Sequence, residues 1–206
     1  ETGRCSRREA DAWIEQGRVT VNGAVATLGT QVDATSVVCL DGARIGEVAD
    51  KPAPVYLALN KPVGITCTTE RDVVGNIVDF VAHPQRVFPI GRLDKDSEGL
   101  IILTNDGDIV NAVLRVENHH EKEYEVTIDQ PVTSRFLALM AQPVRIDVGV
   151  TRPCTLRQTG PRSFRIVLTQ GLNRQIRKMC AAFGVEVVGL RRIRFLHIHL
   201  GNLPIG

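Results

Sequence analysis

The sequence lacks the features that would place the protein in a membrane or in an oxidising compartment. No hydrophobic run is long enough for a membrane-spanning helix, and no signal peptide is predicted. The five cysteines are scattered and include no Cys-x-x-Cys pair, which argues against a disulfide framework and against a cysteine zinc site. These absences predict a globular protein of the reducing cytoplasm that has no membrane partner.

Signatures of common cofactors are missing as well. The chain contains no Gly-x-x-x-x-Gly-Lys-Ser/Thr, no Gly-x-Gly-x-x-Gly and no His-Glu-x-x-His. The pairs His119-His120 and His197-x-His199 are better interpreted as structural or solvated histidines, because neither offers a third metal ligand. Chemistry is therefore expected to come from side chains alone, without a cofactor or a metal.

The charge is unevenly distributed along the 206 residues, although the net charge is only +2. Residues 151–206 hold ten Lys and Arg against one acid, Glu186, which leaves fifteen bases and twenty-two acids for residues 1–150. This basic C-terminal quarter predicts a surface that faces a polyanion. The length and the 43% hydrophobic content predict one large domain and a small one.

The predicted small domain covers residues 1–46. The capping-box spacing of Ser6 and Glu9 predicts a helix through Gln16. The turns Asn22-Gly23 and Asp41-Gly42 predict two hairpins. Four arginines around the helix are candidate phosphate contacts: Arg4, Arg7, Arg8 and Arg18.

This segment resembles an S4 RNA-binding domain through Cys5–Ala10, Ile14–Val19 and Val21–Gly23. The resemblance implies a helix before these residues, so we expect the chain to be truncated at its N-terminus. Residues 47–54, with two prolines and mixed charge, are predicted to be a linker.

Residues 55–206 show short strands with single helices between them. We therefore predict an α+β domain with a mixed, mostly antiparallel sheet. Strands are expected at 55–59, 122–129, 163–169 and 190–200, and helices at 76–81, 106–115, 133–140 and 170–183. In the last helix, Arg174 and Lys178 should point away from the apolar stripe, while Arg177 falls at its edge.

The most charged stretch runs from Gly91 to Leu100, between the apolar segments Val87–Ile90 and Ile101–Leu103. It predicts a rigid polar loop between two buried strands, suited to presenting a reactive side chain. By itself the stretch is more typical of an ordinary solvated hairpin loop.

The pattern Gly91-Arg-Leu-Asp94-x-x-Ser97-x-Gly99-Leu resembles the signature of RNA pseudouridine synthases. Three further motifs agree with that family in the same order: Lys61-Pro62-x-Gly64, Lys122-x-Tyr124 and 171–179. Together with the S4-like start, they resemble the RsuA-like branch, which acts on ribosomal RNA. Two segments, 95–97 and 119–124, are most similar to the group of ribosomal large subunit synthases called F.

The resemblance implies Asp94 as nucleophile, Tyr124 as the residue that packs on the target base, and Arg177 as the partner of Asp94. Isomerising uridine requires breaking the N1–C1′ bond, turning the uracil and rejoining it through C5. A carboxylate can attack covalently or act first as a base to give a glycal. A guanidinium beside it would hold its pKa down, and the Tyr124 hydroxyl can assist loss of the C5 proton.

The target uridine lies in folded RNA and must be flipped out to reach Asp94. The partner is expected to be ribosomal RNA of the large subunit, 23S, with transfer RNA left open as a second substrate, and the protein is expected to be a monomer. The glycines of the Asp94 loop should allow RNA to approach closely. The expected contacts to the RNA backbone are Lys61, Arg92, Lys95, Asn173, Arg174, Lys178, Arg191 and Arg192.

Two other classes of function stay open at this point. One is a non-catalytic RNA-binding module of the S4 type. The other is a hydrolase of glycosidic bonds that pairs Asp94 with Asp96 or Glu98.

Overall fold

The computed structural model describes residue 5 and residues 7–45, 53–114 and 120–206. These form two compact units, Glu1–Ala53 and Pro54–Gly206, each of which is described by itself. Arg4, the predicted cap Ser6 and most of the predicted linker lie outside the described residues. No helix within the described ranges is long and apolar enough to cross a membrane.

The first unit is a short helix with a four-stranded antiparallel sheet in the order β2-β1-β3-β4. The elements are α1 (Arg7–Glu15), β1 (Val19–Val21), β2 (Ala24–Val25), β3 (Val38–Leu40) and β4 (Ala43–Ile45). Both predicted hairpins are present, and all four turn residues at 22–23 and 41–42 have positive φ, as Asn-Gly and Asp-Gly turns favour.

The second unit is built on an eight-stranded sheet with the central order β11-β12-β8-β13-β7-β5; β6 pairs with β7 and β14 with β13. Among the described strands of this sheet, only β13 and β7 pair in parallel, so the predicted mixed, mostly antiparallel α+β fold is confirmed. Two short strands, β9 and β10, form a separate ribbon. The bounds are β5 (Tyr56–Lys61), β6 (Phe88–Pro89), β7 (Glu98–Thr104), β8 (Lys122–Ile128), β9 (Arg145–Ile146), β10 (Gly149–Val150), β11 (Thr155–Gly160), β12 (Ser163–Leu168), β13 (Val187–Phe195) and β14 (Ile198–His199).

Three of the four described helices of this unit begin at polar residues that cap them, and the fourth, which follows Arg174, has no side-chain cap. They are α2 (Ile77–Val81), α3 (Gly107–Leu114), α4 (Ser134–Met140) and α5 (Gln175–Ala181). The side chains of Asn76 and Thr133 accept hydrogen bonds from backbone amides in the first turns of α2 and α4. Asp106 accepts from the Asp108 amide at the start of α3.

Two predicted elements are shorter than expected. The helix predicted at 170–183 covers only α5, because Arg174 has a left-handed backbone with a φ of 51°. The strand predicted at 190–200 is interrupted at Leu196, which has a φ of 56° and lies between β13 and β14. The residues before α5 therefore form a loop, and this loop borders the site described below.

The parallel contact of β7 with β13 depends on Gly99. A Cβ atom at this position would lie 2.3 Å from the Arg192 carbonyl oxygen, and Gly99 has a φ of 103°. Only glycine fits here without displacement of the backbone. Gly99 thus allows close approach of another strand, not of RNA as expected.

Three apolar cores surround the sheet. The largest joins β8, β12 and β13 with α4 and α5, and the second joins β5 and β7 with α2. The third includes Phe195 of β13 and Leu100 and Ile102 of β7. Tyr124 packs against both of the first two cores, which fixes its strand at their boundary.

Candidate active site

A cavity of about 460 Å³ opens beside the Asp94 loop in the second unit, a volume typical of small-ligand sites. It is lined from four directions: the Asp94 loop, β8, the segment 168–176 and β13. Among the described residues that line it, Asp94 is the only carboxylate. Asp96 and Glu98 are not part of the lining, which disfavours a hydrolase that works with paired carboxylates.

The Asp94 loop is held by hydrogen bonds on both sides. The amide of Ser97 donates to the Asp94 carbonyl at 3.1 Å, and the amide of Gly64 donates to the Lys95 carbonyl at 2.8 Å. The Leu93 amide donates to the Cys67 sulfur at 3.4 Å. The Asp94 side chain itself is 29% exposed. The loop thus presents Asp94 to the cavity on a fixed backbone, as predicted for the segment Gly91–Leu100.

Arg177 does not pair with Asp94 in this structure, which corrects the expected partnership. Its guanidinium donates to the Asp96 carbonyl at 2.8 Å, to Ser97 Oγ at 3.3 Å and to the Val187 carbonyl at 3.0 Å. Arg177 also lies outside the set of residues that line the cavity. It connects the backbone of the Asp94 loop to β13 without lining the cavity.

The guanidinium nearest to Asp94 belongs to Arg174. Arg174 Nη1 lies 3.9 Å from Asp94 Oδ2, and both terminal nitrogens donate to the Asp96 carboxylate at 2.8 and 3.1 Å. The hydrogen bond from Arg174, together with the charge of Arg177, lowers the pKa of Asp96. Sequence reasoning assigned Arg174 only to the RNA backbone, because it assumed that Arg174 lay inside the helix.

Tyr124 lines the cavity from β8, as the alternation of that strand predicts. It is directly opposite Arg192 in the pairing of β8 with β13. Its ring is supported by two apolar cores, so the aromatic plane is well fixed for stacking on a base.

Lys122 and Arg192 also line the cavity, and sequence reasoning did not recognise their position there. We call them the floor cations; Arg192 is buried and Lys122 is half-buried. Arg192 is only 2% exposed, so it cannot serve as the surface contact to RNA that was expected. Lys122 precedes Tyr124 by two residues in the recognised motif, which was the available signal.

Lys61 also differs from expectation. It is fully buried, and its ammonium donates to the carbonyls of Pro62 and Ile65 at 2.8 and 2.9 Å. Burial lowers the pKa of Lys61. The side chain thus fastens the turn after β5 and is not available to an RNA backbone.

The remaining residues that were expected to contact RNA differ in whether they have partners within the protein. Arg92 and Lys95 are exposed, and Arg92 borders the cavity. Lys178 donates to Asn173 at 3.2 Å and pairs with Asp147 at 2.9 Å, while Arg191 Nε lies 4.0 Å from Glu98.

The expected arginines of the first unit are described from Arg7 onward. Arg7 and Arg8 are exposed on α1. Arg18 lies over the Trp13 ring at 5.6 Å, and its Nε donates to Asp41 at 2.9 Å.

Much of the basic charge of residues 151–206 is balanced within the sheet. Arg165 pairs with Glu125 at 2.7 Å, and Arg194 pairs with Glu121 and Glu123 at 2.9 and 3.0 Å. The surplus seen in the sequence is therefore smaller on the surface, because acids from the first part of the chain are brought beside it.

The comparisons with known proteins agree with this arrangement. Residues 55–182 match the RNA pseudouridylate synthase family and residues 1–38 match the S4 domain. The chain therefore belongs to the RNA pseudouridylate synthase family, and the resemblance recognised in its motifs is confirmed.

Among its relatives are the dual-specificity RNA pseudouridine synthases RluF of Escherichia coli (strain K12) and Salmonella typhi. Each is 54% identical over 206 residues, which cover 100% of this chain and 71% of the relative. The ribosomal large subunit pseudouridine synthase B of Bacillus subtilis is 33% identical and covers 99% of this chain and 86% of the relative. A crystal structure of a pseudouridylate synthase shares 28% identity at a TM-score of 0.69, covering 95% of this chain and 85% of that one. The predicted similarity to group F is thus confirmed.

Proposed function

We propose that this pseudouridine synthase isomerises a uridine of ribosomal RNA, in the 23S RNA of the large subunit, with Asp94 as the reacting carboxylate. The observation that supports this is that Asp94, the single carboxylate among the described residues that line the cavity, faces the same space as the aromatic ring of Tyr124. No cofactor takes part in the proposed reaction.

In the proposed reaction the target nucleotide is flipped into the cavity and its base lies against Tyr124. Asp94 either attacks C1′ or removes the 2′-hydrogen, and both routes release the uracil from the ribose. The ring turns and C5 bonds to C1′, while Asp94 either leaves C1′ or returns the proton to C2′. The C5 proton is then lost with help from the Tyr124 hydroxyl. Arg177 acts on the loop that carries Asp94 rather than on the carboxylate itself.

The expected result for Asp94→Asn is loss of pseudouridine formation by roughly a thousandfold or more, with RNA affinity kept within about twofold. Asp96→Asn is the matched control and should keep most of the turnover, because Asp96 does not line the cavity. The measurement is pseudouridine formed in transcribed RNA under single-turnover conditions. Product formation by Asp94→Asn at the rate of the parent would contradict the role of Asp94.

The same assay separates the alternatives. Release of free uracil would indicate a glycosidic hydrolase, and binding without any product would indicate an RNA-binding module. The curated relatives RluF are called dual-specificity enzymes, so ribosomal and transfer RNA should both be offered. Mapping pseudouridine in ribosomal RNA from cells that lack the protein identifies the modified position.

A further inference from the structure

The floor cations have no acidic partner within the part of the chain that the structure describes. Arg192 Nε donates to the Leu100 carbonyl, whereas its Nη2 is buried without a hydrogen-bond partner among the described residues. Lys122 Nζ makes one long hydrogen bond, 3.4 Å, to the His120 carbonyl. Burying a cation such as Arg192 without an acidic partner is costly, so its presence in a cavity points to a ligand that supplies the missing charge.

The two side chains are fixed in one place by the sheet. Phe195 is paired with Lys122 across the ladder, and its ring lies 5.1 Å from the Arg192 guanidinium and 6.0 Å from the Lys122 ammonium. Tyr124, on which the base is expected to lie, is paired with Arg192. The cations therefore stand beside the expected place of the flipped base, on rigid strands.

The proposed reaction moves one negative charge across this cavity. When N1–C1′ breaks, its electron pair stays on the uracil, which becomes an anion with charge on O2 and O4. Asp94 loses its charge at the same step, because its oxygen either bonds to C1′ or takes up the 2′-proton. The charge thus leaves Asp94 and arrives on the uracil in both routes.

We propose that Lys122 and Arg192 bind the carbonyl oxygens of the detached uracil and stabilise its negative charge. This inference rests on the proposed function. It also accounts for the fixed position of the cations. A half-turn of uracil about its N3–C6 axis exchanges N1 with C5 and O2 with O4. The two oxygens therefore occupy the same two places when N1 leaves C1′ and when C5 bonds to it.

A phosphate of the target nucleotide is the other anion that the cations could bind. The burial of Arg192 favours the base, because the RNA backbone stays at the mouth while the flipped base enters. The lining of the cavity includes the apolar side chains of Leu168, Leu190 and Phe195, and such side chains suit a ring.

The test compares Lys122→Met with Lys122→Arg, using single-turnover rate constants at saturating enzyme and dissociation constants for the same RNA. Lys122→Met should lower the rate constant about a hundredfold, as does removal of one donor to a developing oxyanion, while RNA affinity changes less than about twofold. Lys122→Arg should recover much of the loss, because it restores the charge. The exposed Arg157 provides a control of equal charge change, Arg157→Met, which should keep the full rate.

The pH profile gives a second readout. Burial, and then the charge of Arg192, lower the pKa of Lys122. Activity that needs the ammonium is present below that pKa and lost as pH rises through it. The other charged or titratable side chains that line the cavity are unchanged in Lys122→Arg: Arg92, Asp94, His120, Tyr124, Arg174 and Arg192. This variant should extend activity to higher pH, because a guanidinium keeps its proton.

Three outcomes would overturn the inference. The first is a Lys122→Met rate constant within about threefold of the parent while Asp94→Asn is inactive, which leaves the proposed function intact. The second is a dissociation constant of Lys122→Met that rises by the same factor as its rate constant falls. If this rise disappears when the target nucleotide carries a methylphosphonate, Lys122 binds the phosphate. The third is an inactive parent enzyme, and this refutes the proposed function as well.

Discussion

The floor cations and the two arginines beside the loop belong to the same domain but differ in their partners. Arg174 and Arg177, here called the loop arginines, are both engaged with Asp96, through its carboxylate and its carbonyl. Lys122 and Arg192 have no carboxylate within 4 Å among the described residues. A cation that already has an acid positions the chain, whereas a cation that lacks one is available to an anionic ligand.

This contrast explains why the number of basic residues is a poor guide to the site. The sequence offers ten Lys and Arg after residue 150. Several of them stabilise the sheet through acids on β8 and β7, such as Arg165 with Glu125 and Arg191 with Glu98. Partnership and burial, rather than charge alone, separate structural cations from candidate ligand contacts.

The largest effect on stability is expected at Gly99. This residue lies on β7, directly after the Asp94 loop, and packs against the backbone of Arg192. Gly99→Ala places a Cβ against the Arg192 backbone at 2.3 Å and strains a positive φ, so it should lower the free energy of unfolding by roughly 2–5 kcal/mol. Denaturant unfolding of the full chain measures this. Gly171→Ala is the matched control, because its Cβ would meet nothing within 4 Å. Equal stability of the two variants would show that the approach of β7 to β13 does not require glycine.

Parts of this arrangement could be predicted from the sequence. The Asp94 loop was predictable because apolar segments flank it on both sides, and Tyr124 because its strand alternates. The fold class followed from short strands and hairpin turns. In each case the signal is local, and the periodicity of a strand or the chemistry of a turn decides the structure.

Other parts could not be predicted because they depend on contacts between distant segments. The family resemblance implied Arg177 as the partner of Asp94, but Arg174, with its left-handed backbone, places a different guanidinium 3.9 Å from the carboxylate. Nothing in Lys61-Pro62-x-Gly64 indicates that the ammonium turns inward onto two carbonyls. The unpartnered state of Arg192 depends on which acids the sheet places beside it, and this is a property of the whole domain.

The next largest effect is expected from Arg177→Lys, which tests whether the loop arginines position the chain. A lysine is a point charge and cannot reach the Asp96 and Val187 carbonyls together. Turnover should fall by about tenfold to a hundredfold, because Asp94 is less well held, with RNA affinity within about twofold. Rate constants and filter binding on the same RNA measure both.

Arg174→Lys is the companion variant for this comparison. Its side chain is 42% exposed at the border of the cavity, so a loss of RNA affinity is expected in addition to any loss of rate. If Arg177→Lys weakens RNA binding as much as it slows turnover, Arg177 contacts RNA and the contrast between the two groups breaks down.

The smallest effect is expected from Asp96→Asn. Its carboxylate and Arg174 are 46% and 42% exposed, so this pair should contribute less than about 1 kcal/mol to stability. The pKa of Asp96 is lowered in the folded protein, so the stabilisation is present above the pKa of the unfolded chain and is lost as pH falls through the folded value. Denaturant unfolding at neutral and at acid pH should therefore show a small difference from the parent that disappears in acid.

Asp96→Asn also removes the acid that pairs with Arg174, so that Arg174, like the floor cations, no longer has an acidic partner at Asp96. RNA affinity at low salt should rise a few-fold, and the dependence of log Kd on log salt should steepen by about one ion. Glu121→Gln removes an equal charge beside Arg194, away from the lining of the cavity, and should change RNA affinity less. An equal gain in both variants would mean that the gain reflects overall charge and that the ion pair with Asp96 does not restrain Arg174.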